Sequence, residues 1–109
     1  MNPAEKVHLN DWVEASEGGI LSKKVMAGKC GNVTMFALAA NEAISEHSAP
    51  YDALVVIHEG EAIVTIDGRD HTLVAGDAII LPAHVPHALR APRAFKMMLV
   101  MIKSEKAAG

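Results

Sequence analysis

The sequence predicts an all-β fold, an antiparallel sandwich or barrel, on three observations. Apolar residues alternate with period two through much of the chain, which sends successive side chains to opposite faces of a strand. Turn signals interrupt these runs at close spacing, at Gly28 and Gly31, at Asp67-Gly68 and at Gly76-Asp77, the pattern of many short strands in a sandwich or barrel. The Ala-rich stretch 75–91 contains Pro82 and Pro86. Each proline removes a backbone donor and clashes with the preceding turn, so a helical reading of that stretch fails.

Each element follows in order. Strands are expected over 20–26 and 32–40, with Gly28 and Gly31 marking the turn between them. Over 53–57, Ala53, Val55 and Ile57 share one face, while Leu54, Val56 and His58 share the other. Glu59-Gly60 permits a sharp bend before a strand over 62–66. Asp67-Gly68 signals a hairpin, because a tight turn needs positive φ, which Gly adopts without strain. The return strand covers 71–74 and ends at Ala75-Gly76-Asp77. A short run over 78–81 stops at Pro82, and strands over 87–90 and 95–103 complete the set. Residues 104–109 are expected to fray.

At 109 residues the chain reads as one domain with a single core. Half of it is hydrophobic but only 4% is aromatic, so that core must be aliphatic, helped by six Met. A formal net charge of −3 with no basic block argues against a nucleic-acid partner. No apolar leader opens the sequence. The longest apolar runs, such as 97–102, fall far short of the ~20 residues that span a bilayer, so no membrane partner is expected. A single cysteine, Cys30, allows no internal disulfide and fits the reducing cytoplasm.

Two ungapped segments carry a more specific signal. The first, over 41–60, places Asn41, His47, Ala49, Ala53 and Gly60 on the spacing G-x5-H-x-H-x3-E-x6-G. The second, over 76–91, places Gly76, Pro82, His84, His87 and Ala91 on G-x5-P-x-G-x2-H-x3-N. These are the paired motifs of the cupins, and the chain resembles a small, single-domain cupin of the conserved-barrel, RmlC-like kind. The resemblance implies a conical antiparallel β-barrel (a jelly roll) with an apolar lumen, often dimeric. It also implies a divalent metal, Zn, Ni, Mn or Fe, held by three His and one Glu or a close variant. Here His47 and His87 keep the ligand register, but Ala49 and Ala53 carry no donor atom. The metal site implied is therefore a degenerate one, weak or vestigial, with His47 and His87 as its ligands.

His47 and His87 are the leading candidates for binding or chemistry, the alternative being remnant histidines bonded to backbone. Tyr51 and Asp52 belong to the loop entering the ligand-bearing strand, as turn residues or as contacts at the barrel mouth. Met35, Met97, Met98 and Met101 either line a small-molecule cavity or fill irregular core space. The candidate ligand-binding set is His47, His87, Tyr51, Met35 and Met101. His58 is expected on the outer face, His84 on a solvated loop, and His8 and His71 at the surface. Cys30 has no His or Cys at metal spacing and reads as an inert thiol.

Three functions fit these residues. The leading one is a binder of a small-molecule ligand in the lumen, with two polar anchors on an aliphatic wall. The second is a metal-assisted isomerase, decarboxylase or dioxygenase, its weakly held ion completed by water and substrate. The third is a metal-free acid/base enzyme using the histidine pair. A homodimer is expected because a short barrel leaves sheet edges and an apolar outer face, to which Leu54, Val56 and His58 contribute.

Overall fold

A computed structural model of the chain describes residues 1–15 and 18–103; the expected frayed segment, 104–109, lies outside them. A four-residue helix, α1 (Leu9–Trp12), precedes eight strands: β1 (Ile20–Gly28), β2 (Gly31–Leu38), β3 (Ala43–His47), β4 (Asp52–Ile66), β5 (Arg69–Val74), β6 (Ala78–Leu81), β7 (His87–Arg90) and β8 (Phe95–Ile102). Every pairing is antiparallel. The strands form a curled antiparallel barrel, one of the two architectures that the periodicity predicts. None of the described helices is long and apolar enough to cross a membrane.

The barrel turns on β4. Its first part pairs with β6 and β8, and its last part pairs with β5 and β7. The sequence predicts two strands here, whereas one 15-residue strand runs through. Its bend lies at a bulge between Ile57 and Glu59, followed by Gly60 at φ 83°. Gly is required at 60, because a Cβ there would sit 1.9 Å from the Ala94 carbonyl oxygen. The next turn is of the two-residue type that suits hairpin twist, with Asp67 at φ 50° and Gly68 at 79°.

The main core lies between the curled walls. Ala53, Val55 and Ile57 all point into it, with Leu38, Val64, Leu89, Phe95 and Met97. A second, smaller core sits outside the barrel. Val13, fully buried, packs with Met35 and Ala37 beneath the N-terminal segment, and Trp12 and Met98 flank them. Polar contacts hold that cover down. Lys23 Nζ donates to the Trp12 carbonyl at 2.9 Å and stands 5.0 Å over the Trp12 ring, and Lys96 Nζ donates to the Asn10 carbonyl.

The outer face of β6-β4-β8-β2-β1 carries an apolar ladder. Ile80 lies opposite Leu54, Leu54 opposite Val100, Val100 opposite Val33, and Val33 opposite Met26. Both ends are open to solvent, Ile80 at 58% and Met26 at 66% exposure.

Candidate functional site

His47 ends β3 and His87 begins β7, and the two are direct partners across that ladder. Ile44 and His47 are three residues apart, an odd spacing that a regular strand would send to opposite faces. The irregularity between them in the β3–β7 ladder brings both to the lumen. There they meet Phe36, Leu81, Leu89, Met97 and Leu99 around a cavity of about 130 Å3. Among the described residues, the two imidazoles are the polar side chains of that wall. His87 is buried at 5% exposure, while His47 is exposed, so the cavity opens on the His47 side.

The two rings stand edge to face, with centroids 4.4 Å apart and planes at 70°. Their Nε2 atoms are 3.2 Å apart. His47 Nδ1 lies 2.9 Å from the Ser45 carbonyl oxygen, and His87 Nδ1 lies 3.2 Å from that of Val85. A carbonyl oxygen only accepts, so each contact favours the Nδ1–H tautomer and fixes the ring plane. Burial pushes the His87 imidazole below its ordinary pKa; the nearby His47 adds to this and the Val85 carbonyl opposes it.

The loop of the second motif is tied to the loop of the first. Ala83 N–H donates to Asp52 Oδ1 at 2.8 Å, and His84 N–H donates to the Ala49 carbonyl at 2.7 Å. Asn41, Gly60, Gly76 and His84 occupy the positions that the motif spacing gives to glycine. All four are left-handed, at φ 72°, 83°, 95° and 65°. His84 therefore holds a left-handed backbone conformation at a cost that glycine would not incur.

The other candidates separate from the pair. Met35 lies on the opposite face of β2 from Phe36, packed in the second core, which sets it outside the cavity. Strand alternation is the reason, since Phe36 and Leu38 take the lumen side. Met98 is likewise outside. Met101 packs against the main core from the lumen side of β8 but lies beyond the residues lining the cavity. Tyr51 borders a separate surface depression with Asp52, Ala83 and Ile102. His58 is the extra residue of the β4 bulge, and its buried Nε2 has no hydrogen-bond partner among the described residues. Phe36, Ile44, Leu81, Leu89 and Leu99 were not singled out from sequence; their signal was inward parity within each strand.

The donor set does not fit a resident metal. Among the described residues, no group of three or more His, Cys, Asp and Glu converges on one point. Structural sites take four protein ligands and open catalytic ones keep three. At the two alanine positions, Ala53 is part of the barrel wall and Ala49 contributes a bonded carbonyl.

Residues 34–103 match the family described as a cupin domain. Similar solved structures include a conserved Streptococcus pyogenes protein of unknown function, at 35% identity over 96% of this chain and 92% of that one, with a TM-score of 0.91. A cupin superfamily protein from Desulfitobacterium hafniense is 29% identical over 95% of each chain, with a TM-score of 0.89. KdgF from a Halomonas species shares the fold at 20% identity, over 84% of this chain and 86% of its own, with a TM-score of 0.70. No curated protein matches the chain.

Proposed function

The chain belongs to the cupin domain family, and on that premise we propose that it binds a small molecule in the barrel lumen, with His47 and His87 as polar anchors. One observation carries this reading: a cavity of about 130 Å3 whose walls are aliphatic and aromatic except for two facing imidazoles. That is the general form of a ligand pocket, mostly apolar with a few placed polar groups. A screen of small molecules by ligand-observed NMR tests it. Binders that compete with one another and shift the His47 and His87 ring signals are expected; binders that leave both rings unmoved would refute it.

The second reading, a metal-assisted isomerase, decarboxylase or dioxygenase, has one observation in its favour. Two nitrogens bound to a single ion at about 2.0–2.1 Å in tetrahedral geometry stand roughly 3.3 Å apart, close to the 3.2 Å between the Nε2 atoms. Two donors nevertheless fall short of the three that an open catalytic site keeps. Binding without a resident ion is the better supported function.

The protein works as a homodimer in this reading. The ladder from Ile80 to Met26 crosses five strands without a charged residue, and β1 pairs on one side alone among the described strands. A second copy covering that face would remove both exposed ends from water. The lone, exposed Cys30 supports a reducing, cytoplasmic setting.

A further inference from the structure

The imidazole pair is one hydrogen short. Three contacts surround it: Nδ1 of His47 to the Ser45 carbonyl, Nδ1 of His87 to the Val85 carbonyl, and Nε2 to Nε2. Each needs one N–H hydrogen, and two neutral imidazoles supply two. Both carbonyls are accept-only, so both hydrogens are drawn to Nδ1. The two Nε2 atoms are then left as facing lone pairs 3.2 Å apart.

We propose that the lumen is matched to a small, neutral molecule with an apolar body and a single hydrogen-bond donor, of the phenol class, whose O–H supplies the missing hydrogen to Nε2. This rests on the lumen-binding reading and adds the chemistry of the ligand to it. The size is close to what is needed: an apolar cavity of roughly 150 Å3 accepts benzene, and this one measures about 130 Å3 but is open beside His47, where the hydroxyl end of a ring can lie. A carboxylate is disfavoured, because it brings further lone pairs to two that already face each other, and among the described residues neither Lys nor Arg lines the cavity. A polyhydroxylated ligand is disfavoured too, since hydroxyls beyond the first would lie unpaired against Phe36, Leu89 and Met97.

Phenol and toluene have the same number of heavy atoms and differ in the donor, so their comparison on the unaltered protein isolates it. In a wall without an acceptor, toluene would bind tighter, by roughly ten-fold, because burying an unpaired hydroxyl costs more than burying a methyl. The expected result by calorimetry is phenol binding at least as tightly as toluene, with phenol shifting the 15N signal of Nε2 in His47 or His87. Tighter binding of toluene, or phenol binding that leaves both Nε2 signals in place, would overturn the donor inference and leave the lumen reading standing. Failure of both compounds to bind at millimolar concentration would overturn the phenol-class assignment, while the lumen reading stands or falls with the wider NMR screen.

Discussion

His47 and His87 meet Nε2 to Nε2 at 3.2 Å from neighbouring antiparallel strands, each ring held at Nδ1 by the carbonyl two residues before it. Each of these carbonyls belongs to the same chain segment as its histidine. Ring orientation is thus set locally, while the strand register brings the two rings together.

Stability should fall on acidification through this pair. His87 has a lowered pKa in the folded state, so the unfolded chain binds its proton more readily. The contribution is fully present above the ordinary histidine pKa near 6.5 and is lost as pH falls through the lower folded-state value. Urea midpoints measured from pH 7.5 to pH 5 should decline, and His87→Gln should flatten that part of the curve. An equal decline in the variant would assign the effect to other groups.

Divalent ions should bind the unaltered protein weakly. Two missing donors cost on the order of 10²- to 10⁴-fold if each is worth at least as much as an outer-shell partner. Ala49→His with Ala53→Glu should restore donors at the motif positions and raise Zn²⁺, Ni²⁺ or Mn²⁺ affinity by orders of magnitude. His47→Ala should abolish what remains in the unaltered chain. Calorimetry distinguishes the cases, and tight binding by the unaltered protein would contradict the two-donor account.

Two glycines in left-handed backbone should respond differently to alanine. At Gly68 a Cβ meets nothing within 4 Å, so Gly68→Ala pays for its φ alone, about 1–2 kcal/mol. At Gly60 the Cβ would also collide with Ala94 and Phe95 backbone atoms. Gly60→Ala should cost at least about 3 kcal/mol by chemical denaturation. Equal losses would mean that the corner at Gly60 relaxes.

The dimer should depend on the outer ladder. Leu54 sits between Ile80 and Val100 and is 36% exposed, so Leu54→Lys places a charge at the ladder's middle without entering the core. Light scattering at micromolar concentration should report a dimer for the unaltered chain and a monomer for the variant. A monomer in both would remove the ladder as an interface.

Much of this architecture was legible because one physical rule, alternation, acts residue by residue. The parity of Ala53, Val55 and Ile57 was readable and all three are buried. The motif spacing also brought His47 and His87 to one point. β3 escaped because only Ile44 of its five residues is even half-buried and an irregularity breaks its period. Met35 was misplaced for a different reason. β2 is apolar on both faces, Val33, Met35 and Ala37 on one and Phe36 and Leu38 on the other, so nothing local says which face is the lumen. The deciding contact is Val13, twenty-two residues upstream by sequence number, folded over the outside. Such a cover is a tertiary fact with no periodic signature.

The passage of β4 through both halves of the barrel bears on how the protein opens. Val55 and Val64 belong to one strand but to different walls, so neither wall can peel away without pulling on the other. Amide hydrogens at these two positions should exchange at a common slow rate set by global unfolding, not by local breathing. A barrel closed along that seam is open at its ends alone, and under the proposed lumen binding the exposed edge of His47 marks the end at which an incoming molecule would meet the cavity.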